Sequence, residues 1–287
     1  MKRKIRVSLT PYLYLMPLTI IMSIVYLYPL VNLVKFSFFK ATLGSLGKFV
    51  GLENFYEFVS FLPTIYRTLI WTFGAVIPAM LIGLGGALLF QDNFRGKRII
   101  LPLSLVPYFI PLVVAAFLWL VSYNPSFGLI NLVLLRFGVI NKPISFLSYH
   151  TALFSVIIVR IWRATPFALL TYYAGLQAIP QQYYEAAEVD GANALQKFFN
   201  ITIPQLHSVT LVTGIILTVW TALLFDIIFP MTGGGPINAT EIIPITIYRV
   251  FLDRGQVGRA SALGLITTCI LIIISLFYWR ASQKREG

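Results

Sequence analysis

The chain has 287 residues, 58% of them hydrophobic and only 11% charged, with a formal net charge of +12. These proportions exclude an ordinary soluble protein, and no hydrophilic stretch is long enough to form a domain of its own. The basic residues form no stripe that would suit a nucleic acid and sit mainly at the ends of apolar runs, while a single cysteine, Cys269, and two distant histidines, His150 and His207, exclude a disulfide scaffold and a Cys/His metal cluster.

Four basic residues, Lys2, Arg3, Lys4 and Arg6, precede an apolar stretch that runs to about Val34. A secretory signal has this basic start, but its apolar part is shorter and ends at a small-residue cleavage site, so the stretch is expected to stay as a helix. Apolar windows of about 20 residues, the length that crosses a bilayer, predict spans near 11–34, 68–90, 99–121, 150–173, 206–228 and 261–279. Lipid offers the backbone no hydrogen-bond partner, so each span is read as an α-helix and the chain as one all-α transmembrane domain over 1–287.

Six spans put both termini on one side. With that side inside, eleven basic residues fall in the cytoplasmic segments and nine outside, and the densest clusters flank the first and last spans. The positive-inside rule therefore favours N-in, C-in by a narrow margin. Gly74, Pro78, Gly83, Gly85 and Gly86 in the second span, with Pro102, Pro107 and Pro111 in the third, permit close helix approach and kinks.

Arg160 and Arg163 lie three apart near the middle of the fourth span, on one helical face. Charge at that depth is costly and faces a cavity or a partner. Asp226, in the predicted fifth span, is a candidate ion-pair mate, so solute contact and structural pairing both stay open. Phe167, Trp162 and Trp220 offer faces for a sugar ring, and the guanidinium groups offer donors to hydroxyls, carboxylates or phosphates.

One link departs from the short polar pattern, residues 174–205, AGLQAIPQQYYEAAEVDGANALQKFFNITIPQ. Pro180 marks a helix start and Asp190-Gly191 a stop before a second short helix. Tyr184, Ala187, Leu195, Phe198 and Phe199 supply apolar positions at helical spacing. Glu185, Glu188 and Asp190 outnumber Lys197, which a segment selected only for orientation would not show. A docking surface for a soluble partner explains both features. After the fifth span, Gly233, Gly234, Gly235 and Pro236 form a tight turn, but no Lys-Ser/Thr follows as in a phosphate-binding loop.

The segment resembles the EAA loop of ABC importer permeases, with Glu185-Ala186-Ala187 followed by Asp190-Gly191-Ala192 and continued by Phe199, Ile201, Pro204 and Leu206. The resemblance extends over most of the chain and narrows to the carbohydrate-uptake, maltose-type group: LPLSLVPYFIP at 101–111 with Trp119, FGLIN at 127–131, WRATPF at 162–167, MTGGGPINAT at 231–240, IYRVF at 247–251 and RASALG at 259–264. It implies the type I importer fold, with a first helix clasping a paralogous second permease in a heterodimer and five helices around a cavity. It also implies an ATP-binding cassette ATPase dimer that binds ATP and magnesium, an external solute-binding protein, no cofactor on this chain, and the cytoplasmic membrane of a prokaryote.

In that family the segment at about 181–200, with Tyr184, Glu185, Ala186, Ala187, Asp190, Gly191 and Ala192, forms a cytoplasmic coupling helix on the ATPase. Solute-lining positions map onto Arg160, Arg163, Ala164, Phe167, Leu217, Thr221 and Leu224, with Trp220 beside them, and the Gly233–Pro236 loop lies near the binding protein. The implied function is a transport subunit, not an enzyme, for a sugar, oligosaccharide or sugar-like solute. The alternatives are an anionic glycoside or glycerophosphate-like solute in the same family, or an ion-coupled secondary transporter, although no inverted repeat supports the last. An intramembrane enzyme lacks the paired groups it would need.

Overall fold

A computed structural model describes residues 10–56 and 60–283. Its helices, in chain order, are α1 (Thr10–Met22), continued through a π turn at Ser23–Leu27 into α2 (Tyr28–Ser37), then α3 (Glu53–Tyr56), α4 (Leu62–Leu89), α5 (Lys97–Phe109), α6 (Leu112–Ser122) and α7 (Leu129–Arg136). There follow α8 (Ala152–Gln177), α9 (Gln181–Val189), α10 (Ala194–Lys197), α11 (Ile203–Gln205), α12 (His207–Ala222), α13 (Ile228–Thr232), α14 (Ile243–Tyr248) and α15 (Val257–Gln283). Among the described residues there is no strand, only isolated bridges pairing Phe39 with Phe49 and Thr42 with Ser45. The basic residues 2–6 and 284–285, used above for orientation, lie outside the described residues.

Among the described residues, four helical stretches are long and apolar enough to cross a membrane: Leu13–Ser37, Leu62–Leu89, Ala152–Gln177 and Val257–Arg280. The third expected span is not a single helix but a bent pair, α5 with α6 at 97°, and the fifth is carried by α12, which forms a second bent pair, at 61°, with Ala194–Gln205 from the link before it. The first bend has a local cause. Pro111 has no N–H and disfavours helical backbone in the residue before it, and Ile110 and Pro111 are both extended (ψ 129° and 139°). In the second, Pro204 follows a π turn at Phe198–Thr202, where the helical ladder is already widened. The fifth span also ends earlier than expected, at Ala222 rather than 228, because Leu223 to Ile227 leave the helix.

The chain divides into two compact units. In the first, residues 1–60 with 247–269, the segment after α2 is tied to the start of α15. Buried Asn54 donates Nδ2 to the carbonyls of Ser37 and Phe39, at 2.9 and 2.8 Å. Gly258 donates its N–H to Ala41 O at 3.0 Å. A Cβ at Gly258 would lie 2.1 Å from Phe39 O, so this crossing requires glycine.

In the second unit, residues 61–246 with 270–287, α4 packs along α8. Helices in lipid gain little hydrophobic energy from each other, so their attraction rests on close van der Waals fit between small residues. At Gly83 a Cβ would stand 2.6 Å from Ala168 Cβ and 2.8 Å from Leu169 N. Two buried clusters result, one around Trp71, Val156, Val159, Ile227 and Ile245, the other around Val76, Ala79, Ala164, Ala168 and Leu217.

Candidate functional site

Within the second unit a cavity of about 320 Å³ lies beside the midpoint of α8, lined by Tyr108, Leu112, Arg160, Arg163, Ala164, Phe167, Leu217, Val219, Trp220, Leu223 and Leu224. That size is at the small end of small-molecule sites. The 3.6-residue repeat explains the α8 wall: Arg160, Arg163, Ala164 and Phe167 share one face. Leu217, Trp220 and Leu224 repeat the same spacing on α12 and the turn after it. The break at Ile110 ends α5 beside Tyr108, which completes the wall from the third span.

Arg160 is 5% exposed. Its Nε donates to Thr221 Oγ1 at 3.0 Å, and buried Trp71 donates Nε1 to the Thr221 carbonyl at 2.8 Å. Arg160 Nη2 and Arg163 Nε are buried with no hydrogen-bond partner among the described residues. The Arg163 guanidinium sits 4.8 Å over the Tyr108 ring, a cation–π contact. Tyr108, Phe167 and Trp220 make an aromatic strip, with centroids 6.0 and 5.1 Å apart.

Of the residues singled out in the sequence, Arg160, Arg163, Ala164, Phe167, Leu217, Trp220 and Leu224 come together on this cavity, and Thr221 reaches it through Arg160. Trp162 turns to Trp119 instead, at 5.6 Å. The expected pairing of Asp226 with an arginine does not form, because α12 has already ended and Asp226 is exposed in the turn beyond it. The ion pair Lys197–Glu188, at 2.7 Å, lies away from the cavity. Tyr108, Leu112, Val219, Leu223 and Trp71 were missed; the prolines around Tyr108 were the one available signal.

At one end of the helices α9 spans Gln181–Val189, Gly191 takes φ 76° at the reversal, and Asn193 opens α10 with a capping box to Gln196. Tyr184 Oη lies 3.0 Å from Thr202 Oγ1, and Ala192 N–H donates to Ala187 O at 2.8 Å. Glu185, Ala186 and Asp190 are exposed, as are Val189 (89%), Leu195 (69%) and Phe199 (62%). Gln91 and Asp92, between α4 and α5, and Lys97, the first residue of α5, share one cleft with Tyr184, Glu188 and Lys197. The segment after α8 and the α4–α5 link are therefore at the same end.

At the other end Arg67 Nε donates to Glu241 O at 3.1 Å and Ile243 N–H to Thr68 Oγ1 at 3.0 Å, joining the start of α4 to the segment after α13. There Gly233 and Gly234 take φ of 58° and 89°, Gly235-Pro236 is cis, and Thr240 Oγ1 donates to Gly235 O at 2.8 Å. Ile237, at φ 47°, leaves its side chain 84% exposed at the tip.

Residues 79–285 match the family described as binding-protein-dependent transport system inner membrane component. The chain belongs to that family. It is 32% identical to the trehalose/maltose transport system permease protein MalF of Thermococcus litoralis, over 99% of this chain and 97% of that one. It is also 32% identical to the sulfoquinovosyl glycerol transport system permease protein SmoG of Agrobacterium fabrum, over 96% and 90%. A crystal structure of a bacterial ABC transporter involved in importing the acidic polysaccharide alginate superposes with a TM-score of 0.84 at 23% identity, covering 97% of this chain and 96% of that one, and shares the fold.

As a binding-protein-dependent inner membrane component, this chain is a permease and not an enzyme. The alternative of an ion-coupled relay through Asp226 and Arg160 also loses its geometry. One is exposed beyond the end of α12, and the other is held by Thr221.

Proposed function

We propose that this permease is one of two paralogous membrane subunits of an ATP-driven importer for a sugar or glycoside, forming one domain of six crossings with both termini in the cytoplasm. An external binding protein delivers the solute at the Gly233–Pro236 end. ATP and magnesium bind a separate ATPase dimer at the α9–α10 end. The observation that carries this reading is continuity: α9 follows the cavity-lining α8 after three residues, and α10 runs through a bend into the cavity-lining α12. A partner that grips α9–α10 thus holds both walls of the cavity, so its closure and opening are passed to the path. Val189, Leu195 and Phe199 supply the apolar contact for such a grip.

The sugar assignment draws on the two relatives named for trehalose/maltose and for sulfoquinovosyl glycerol, and on the Tyr108–Phe167–Trp220 strip, which suits a pyranose face. The test is isolation of the complex through a tag on this chain, then uptake by proteoliposomes. A co-purifying ATPase and second permease, with uptake that needs ATP and the binding protein, is the expected result. Leu195→Glu is expected to cut both ATPase recovery and uptake by at least ~10-fold, the loss of a buried apolar anchor. Uptake that persists without ATP and collapses with a protonophore overturns the proposal.

A further inference from the structure

The cavity holds two cations and no anion. None of the ten acidic residues of the chain lines it, and among the described residues no carboxylate pairs with either arginine. Arg160 is more than nine-tenths buried, its Nε is occupied by Thr221, and its Nη2 is unpartnered. Arg163, one turn along the same face, leaves a buried Nε unpartnered. Two like charges on neighbouring turns repel, and a buried charge without counter-charge is strongly unfavourable. A neutral sugar offers these donors hydroxyl acceptors but no counter-charge.

Resting on the importer reading above, we propose that the solute of this permease is an acidic glycoside, whose carboxylate, sulfonate or phosphate group docks on Arg160 and Arg163 while its ring lies along Tyr108, Phe167 and Trp220. Guanidinium is the suitable cation for this task, because its planar fork meets an oxyanion with two parallel hydrogen bonds. Trp71 and Thr221 are positioning residues. Trp71 fixes the Thr221 backbone, Thr221 occupies Arg160 Nε, and Nη2 is left for the ligand. The aromatic strip recognises a ring of either charge, so it selects for a sugar and the arginines select for its acid.

The test titrates the purified importer complex, without its binding protein, with methyl β-D-glucuronide and methyl β-D-glucoside, which differ only in a carboxylate in place of a hydroxymethyl group. The glucuronide is expected to bind at least ~10-fold tighter, as a charge-assisted pair requires. Arg163→Gln and Arg160→Gln should each erase that preference while glucoside binding stays, and Arg163→Lys should keep part of it. Because Arg160 is buried and its variant is open to misfolding, the half-buried Arg163 is the deciding site. Equal binding of the two sugars, a preference unchanged in Arg163→Gln, or binding of neither overturns the proposal. ATP-dependent uptake, measured separately, decides the importer reading, so the two can fail independently.

Discussion

Thr221 shows how one side chain can serve the cavity without lining it. Its hydroxyl is the acceptor for Arg160 Nε, and its carbonyl is held by Trp71. Replacing it with valine keeps the shape and removes the acceptor, which leaves a further buried charged donor unpaired at about 1–3 kcal/mol. Thr221→Val is therefore expected to raise KM for uptake roughly tenfold with kcat little changed, and Thr221→Ser to restore it. A fall in kcat with KM intact would mean that Thr221 supports helix packing and not the arginine. Charge made Arg160 and Arg163 legible in the sequence, since arginine at mid-span is rare. Tyr108 and Trp71 were not legible, because aromatic residues in spans are common and only the bend at Pro111 and the approach of α4 to α12 give these two their roles.

Hydropathy locates the helices well, since lipid demands an apolar run of near-fixed length, but it is blind to direction. The bend at Ile110-Pro111 occurs inside an apolar window that reads as straight, although the proline that causes it is visible, and the bend at Leu206 falls at the edge of the next window, where hydropathy gives no angle. Small residues are equally ambiguous in the sequence, and the structure separates them. Gly83 meets Ala168 and the backbone of Leu169, whereas an added Cβ at Gly85 meets nothing within 4 Å. Gly83→Leu must force α4 from α8, an overpacking cost of about 1–3 kcal/mol or more. Gly85→Ala only improves helix propensity. The expected outcome is a lower thermal midpoint for detergent-solubilised Gly83→Leu, and an unchanged or higher one for Gly85→Ala. Equal midpoints in the two variants would show that the α4–α8 contact does not set stability.

Across the whole molecule the arrangement needs two opposite ends, and helix length supplies them. At 1.5 Å per residue, the 26 residues of α8 reach about 39 Å, more than the roughly 30 Å hydrocarbon core. The cleft shared by Gln91, Lys97, Tyr184 and Glu188 places the ends of α4 and α8 together, while Arg67 and Thr68, at the start of α4, bond to Glu241 and Ile243. Val189 and Ile237, 89% and 84% exposed, therefore belong to opposite ends. Counting lysines and arginines separated the two sides by a margin of only two residues, so a chemical assignment carries more weight than the charge rule here. Cys269 is the sole cysteine, so Cys269→Ala gives a clean background for Val189→Cys and Ile237→Cys. A membrane-impermeant maleimide is expected to label Ile237→Cys in intact spheroplasts and Val189→Cys only in inverted vesicles. Bound ATPase should shield Val189→Cys, so its labelling should rise when the ATPase is stripped away. Reversed labelling would invert the topology, and labelling of both from outside would sink the spanning arrangement on which the transport path depends.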